Sequence, residues 1–213
     1  MRELDRALAD IAAMKSQMAR TVVFRGFGPQ ALAATGALAG IATVVQATWL
    51  TTSQAARVAD PAEIFPAFLA VWVTTAVLAV ALLAIEAIRR SRTAHGRLAD
   101  DMLRTAVEQF SPAGAAGILL TLVLQRQAPE ALWMLPGLWQ ILLSLGVFAA
   151  CATLHRPMLL VAVWYLATGL TCLCLAQGPA AFSPLAMGLP CSLGQLLAAG
   201  LLTHCNRRSH AEA

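Results

Sequence analysis

Apolar residues gather into six stretches, at about 29–50, 64–88, 113–124, 131–154, 157–176 and 184–203. Most approach the roughly 20 residues that a helix needs to cross a bilayer core about 30 Å thick. Two longer polar segments stand outside this alternation, one opening the chain at 1–28 and one interrupting it at 89–112.

Both polar segments have helical spacing. In the first, Leu4, Leu8, Ile11, Met18 and Val22 recur at intervals of three, four and seven, while Arg2, Asp5, Arg6, Asp10, Lys15 and Arg20 mostly occupy other faces. The pair of glycines at Gly26 and Gly28 ends this helix, and Pro29 opens the next, since a first-turn proline forfeits no hydrogen bond. In the second segment Leu98, Met102, Leu103, Ala106, Val107 and Phe110 form one apolar face, with Arg97, Asp100, Asp101, Arg104 and Glu108 largely outside it. Ser111 and Pro112 then predict a fresh helix start, as N-cap and first helical residue.

The third apolar stretch is the weak member of the six. Its twelve residues cover only about 18 Å of the core. The favoured reading is that it borrows turns from Glu108 to Phe110, with small residues packed on neighbouring helices. Gly36 and Gly40 likewise predict a face of close helix approach in the first span. Trp133 and Trp139 are expected as interfacial anchors at the outer end of the fourth.

Charge orients the six spans. Of the 15 Lys and Arg, all but Arg57 and Arg126 fall on the two termini or the connectors after the second and fourth spans. The positive-inside rule therefore puts both termini in the cytoplasm. Glu86 lies one turn before Arg89 and Arg90 and reads as an interfacial ion pair. At 59% hydrophobic, 12% charged and a mean hydropathy of +0.69, the chain is far from a soluble domain. The first 28 residues lack the short apolar core of a signal peptide, so the first span is expected to remain as an anchor. A single Tyr and 6% aromatics offer no platform for nucleic acid.

The chain also echoes itself. Leu8-Ala9-Asp10 leads to Phe27-Gly28-Pro29, and Leu98-Ala99-Asp100 leads to Phe110-Ser111-Pro112. The connectors repeat too: Phe65-Pro66 before Trp72, Leu135-Pro136 before Trp139 and Gln140, and Leu189-Pro190 before Gln195. The predicted architecture is therefore all-α and polytopic, with six transmembrane helices as three parallel-repeat hairpins and two cytoplasmic amphipathic helices. Its units are an amphipathic helix (1–28), hairpin 1 (29–88), a second amphipathic helix (89–112), hairpin 2 (113–154), hairpin 3 (155–203) and a tail (204–213).

Candidate chemistry is sparse. His155 and His204 flank spans at similar depth, near Cys151 and Cys205, which makes them weak candidates for a metal or haem. No second ligand pair or haem-attachment motif accompanies them, and no cofactor is expected. Cys172 and Cys174, two apart on a helix, project about 200° from each other and cannot chelate one ion. Around Cys191 and Ser192 the sequence is not a nucleophile motif, and no histidine lies at matching depth. The mid-membrane polar residues are uncharged. Among them Gln140 and Gln195, at related repeat positions, are the candidates for a shared polar site.

The segments FRGFGPQALAATG, DMLRTAVEQFSPAGAAG, ALWMLPGLWQ and FSPLAMGLP resemble an uncharacterised family of small bacterial, proteobacterial-like six-span integral membrane proteins. That resemblance spans most of the chain and implies an inner-membrane location with nothing catalytic. The leading expectation is a non-enzymatic accessory or regulatory component. Its cytoplasmic amphipathic helices would meet the lipid bilayer or a soluble protein partner, with a second copy of the chain, as a homo-oligomer, among the expected partners. The alternatives are a small-solute permease or channel of parallel hairpins, and a haem- or metal-binding membrane subunit.

Overall fold

The computed structural model describes residues 28–52, 61–93, 97–151 and 156–211. The amphipathic stripe expected at the N-terminus, and with it His95 and His155, lies outside the described residues. Six α-helices follow one another: α1 (Pro29–Thr52), α2 (Pro61–Thr93), α3 (Arg97–Gln127), α4 (Leu135–Ala150), α5 (Leu159–Leu175) and α6 (Pro184–Ala211). No strand occurs among the described residues.

Proline sets most of the starts. Pro29, Pro61 and Pro184 are the first residues of α1, α2 and α6, where the missing N–H is one of the groups a helix start leaves unpaired anyway. Short 3-10 turns precede the last three helices, at Pro129–Met134, Arg156–Met158 and Gly178–Phe182. The last of these turns begins at Gly178, whose φ of 60° is left-handed backbone that favours glycine.

Several boundaries differ from the sequence reading. Ser111 and Pro112 do not start a helix: α3 runs unbroken through Pro112, joining the amphipathic segment to the third apolar stretch. An interior proline removes one N–H, from the carbonyl four residues back, and a long helix packed on a neighbour can absorb that loss. The fourth apolar stretch enters as a 3-10 turn, leaving an α-helix of only 16 residues. The supposed polar tail continues α6 to Ala211.

Among the described residues four segments are long and apolar enough to cross a membrane: Pro29–Leu50, Ile64–Arg89, Pro129–Ala150 and Pro184–Cys205. Leu159–Leu175 is apolar but shorter, at 17 residues or about 25 Å. Each helix packs on its neighbours in sequence, and α6 returns to lie along α1. The α1–α6 and α4–α5 seams are the most extensive.

Glycine explains both seams. A Cβ on Gly137 of α4 would sit 2.9 Å from the Gly169 carbonyl oxygen of α5, and a Cβ on Gly169 would sit 2.9 Å from that of Gly137. Along α1 and α6, Gly36 faces Gln195 and Leu196, while Gly188 receives the Thr43 side chain. Gly40, expected beside Gly36 in the close-packed face, looks onto open space.

Two apolar cores result. At the tips of the bundle Ala42, Phe65, Phe68, Trp72, Leu132, Leu135, Phe182 and Met187 pack together from α1, α2, α4, α6 and the turns before α4 and α6. At the opposite end Met158, Val161, Tyr165, Ala198 and Leu202 gather, with Leu32 and Val147 against them.

Candidate functional site

The hairpin tips carry a knot of indoles and amides. Phe68 lies at its centre, 5.2 Å edge-on from the Phe182 ring and stacked on Trp139 at 6.1 Å. The Trp72 indole N–H donates to Gln46 Oε1 (2.8 Å), and Gln46 Nε2 donates to the Phe182 carbonyl (2.7 Å). This one buried amide therefore ties α1 and α2 to the turn before α6 with both of its ends satisfied. In the second hairpin the Trp139 indole donates to Thr121 Oγ1 (3.1 Å). Trp139, expected as an interfacial anchor, is half-buried and packs against the tip core, where its ring partner Phe68 comes from α2.

The two tip contacts occupy matching places. Gln46 and Thr121 each lie six residues before the end of their helix. Trp72 and Trp139 lie eleven and ten residues after the prolines Pro61 and Pro129 that open their elements. The third hairpin is bridged differently, by the Trp164 indole donating to the Pro190 carbonyl at 3.0 Å.

Pro190 organises the other polar group. It lies inside α6 and has no N–H to offer the Ala186 carbonyl one turn earlier. Gln140 of α4 takes the vacant role: its Nε2 donates to the Ala186 oxygen at 3.0 Å and lies 3.9 Å from Met187 Sδ. Gln140 is fully buried, and its Oε1 has no hydrogen-bond partner. One turn on, Ser144 Oγ donates to the Ala162 carbonyl of α5 at 2.8 Å. Just beyond the proline, the Tyr165 hydroxyl donates to the Cys191 carbonyl at 3.4 Å. Gly194 makes room for that ring: a Cβ there would lie 2.5 Å from Tyr165 Cζ.

Gln140 and Gln195, expected to form a shared site, have different neighbours. Gln140 meets α6 at Ala186, nine residues or about 13 Å along that helix from Gln195. Gln195 instead packs its Cβ against Gly36 and reaches the Tyr165 hydroxyl. His204 is exposed near the end of α6, and among the described residues no group of three His, Cys, Asp or Glu gathers. Cys172 is buried and Cys174 exposed, on opposite faces of α5. Of the apolar face proposed for 98–110, Phe110 is described: it is half-buried, and its ring lies where a Cβ on Gly146 of α4 would touch it at 3.3 Å. Phe110 therefore belongs to the α3–α4 packing, while the side chains of Leu98, Met102, Leu103, Ala106 and Val107 lie outside the described residues.

The sequence reading missed the proline–amide pairing, although its signal was present. An interior proline always leaves the carbonyl four residues back without its helical donor. What the sequence does not carry is which neighbouring helix brings the replacement.

The class these features define is an all-helical protein, among the described residues, with four helices long and apolar enough to cross a membrane. No protein-family model, no curated protein and no solved structure matches the chain.

Proposed function

We propose that the chain is a non-enzymatic integral protein of the bacterial inner membrane, an accessory or regulatory component with six spans in three parallel hairpins and both termini cytoplasmic. It resembles the small bacterial six-span proteins, and it works by presenting its cytoplasmic amphipathic helices to lipid or to a soluble partner. One observation carries this reading: polarity is arranged inside out. The buried polar side chains Thr35, Gln46, Thr121, Gln140 and Ser144 all bond to groups within the bundle. Outward, large aliphatic side chains such as Ile41, Val44, Val77, Val80, Ile118, Leu119 and Leu160 are more than half exposed. A bilayer is the solvent in which that distribution is stable.

The matching tip contacts of Trp72 with Gln46 and Trp139 with Thr121 support the repeat of the first two hairpins. The test places a photoreactive residue at Leu103 in native membranes, reads the adducts by mass spectrometry, and maps topology by membrane-impermeant labelling. Protein adducts at Leu103, and labelling from outside at the connectors near 56, 128 and 178 but at neither terminus, are the expected results. Labelling of the C-terminus from outside overturns the orientation, and capture of lipid alone removes the docking partner.

A second reading, a small-solute permease, draws on the Gln140 Oε1 acceptor beside a carbonyl freed by proline. Solute uptake unchanged by Gln140→Ala and Gln195→Ala ends that reading.

A further inference from the structure

We infer that α6 is jointed at Pro190, with the Gln140 amide as the releasable catch that holds the joint in the state seen here. The two sides of the proline are held by different helices. Before it, residues 184–189 are fastened by the Gln140 bond from α4 to Ala186 and by Thr43 of α1 seated against Gly188. After it, α5 takes over: Trp164 donates to the Pro190 carbonyl, Tyr165 donates to that of Cys191, and Gly194 lies under the Tyr165 ring.

The helix is weakest between these two sets of contacts. Pro190 removes one backbone hydrogen bond, and Gly188 two residues earlier stiffens the turn least of any residue. Of the two buried amides, Gln46 and Gln140, it is Gln140, bonded to Ala186, that is half satisfied. Gln46 uses both its oxygen and its nitrogen, whereas Gln140 holds a fully buried oxygen with no donor. A buried unpaired acceptor disfavours the closed arrangement and would be relieved when 184–189 swing away and the amide turns to new donors. Closed and swung states are thereby brought near in free energy, which is the condition for a switch. The joint stands independently of the function proposed above, since it rests only on how α1, α4 and α5 hold the two sides of α6.

The test uses the full chain with its five cysteines replaced and nitroxide pairs introduced at exposed positions. One pair joins Leu145 of α4 to Leu185 before the proline; the other joins Leu145 to Leu197 after it. Pulsed electron–electron distances are expected to show two populations for the Leu185 pair and one for the Leu197 pair. Gln140→Leu removes the catch and is expected to raise the ratio of long to short Leu185 distances about tenfold. Pro190→Ala restores the helical donor to Ala186 and is expected to leave only the short distance, with or without Gln140→Leu. A single Leu185 distance unmoved by Gln140→Leu overturns the joint, as does an equal shift in both pairs. Should Gln140→Leu fail to fold, Pro190→Ala alone decides, because a Leu185 distribution identical to that of the unsubstituted proline removes the hinge.

Discussion

Replacing Gly169 by alanine is expected to destabilise the protein, while the same replacement at Gly40, Gly114 or Gly200 is expected to stabilise it. At Gly169 the new Cβ would lie 2.9 Å from the Gly137 carbonyl oxygen, 2.9 Å from Ile141 Cγ1 and 3.1 Å from Gln140 Cβ. Ordinary contact lies between 3.4 and 4 Å, and the first obstacle is backbone, which no rotamer change can clear. Helices α4 and α5 must therefore part by about half an ångström, and that strains the Ser144 bond to Ala162 lying along the same seam. Overpacking of this kind costs about 1–3 kcal/mol. The better helix propensity of alanine returns about 0.5–1 kcal/mol. The net expectation is a loss of about 1–2 kcal/mol for Gly169→Ala. Gly40, Gly114 and Gly200 meet nothing within 4 Å, so their alanine variants keep only the gain, about 0.5–1 kcal/mol. The two classes then differ by about 2 kcal/mol, or about thirtyfold in the unfolding constant. Unfolding by dodecyl sulfate in mixed micelles, followed through the five tryptophans, reads this difference. Equal or greater stability of Gly169→Ala than of Gly40→Ala would refute the close crossing.

Gln46→Leu is expected to cost more than Trp72→Phe, because it leaves both an indole N–H and the Phe182 carbonyl without partners, at about 1–3 kcal/mol each. In the same unfolding assay the double variant should lose less than the sum of the two, since the shared bond is counted once. Trp139→Phe removes the donor to Thr121 and keeps the stack on Phe68, with an expected loss of about 1 kcal/mol. Gly194→Ala drives a methyl against the Tyr165 ring, and combining it with Tyr165→Leu should recover part of the loss. No recovery would mean that the glycine serves α6 itself and not the fit to Tyr165.

What the sequence made legible was whatever depends on the chain's local chemistry. Pro29 and Pro184 mark helix starts by themselves, and hydrophobic spacing marks those of α2, α4 and α5 to within a few residues. Pro112 misled because serine and proline in tandem encode a start only when nothing upstream holds the helix; the long α3 continues through them. Gln140 was singled out as a polar residue in an apolar span, but its partner was misjudged. Spacing reports which face a residue occupies and is silent about the helix across from it. Trp139 shows the same boundary. An indole near a span's end fits the interface by composition, and it is Phe68, arriving from α2, that holds it half-buried against the core.

The distribution of contacts also fixes where α2 is held. Helices in lipid gain nothing from hydrophobic burial against one another and associate through close packing and hydrogen bonds. Up to Trp72, α2 has both: Ile64, Phe65, Phe68 and Trp72 are buried, and the indole is bonded to Gln46. From 73 to 89 no side chain is buried, and Thr75 spends its hydroxyl on the Val71 carbonyl of its own helix. The α4–α5 and α6–α1 seams, by contrast, are closed along their length by glycine contacts at Gly137, Gly169, Gly36 and Gly188. Among the described residues, attachment of α2 to the rest of the bundle is therefore concentrated at its first three turns. Trp72 is the last residue through which the tip core fixes the direction of the turns beyond it, so a change at Gln46 or Trp72 reaches farther along α2 than any change at 73–89 reaches back.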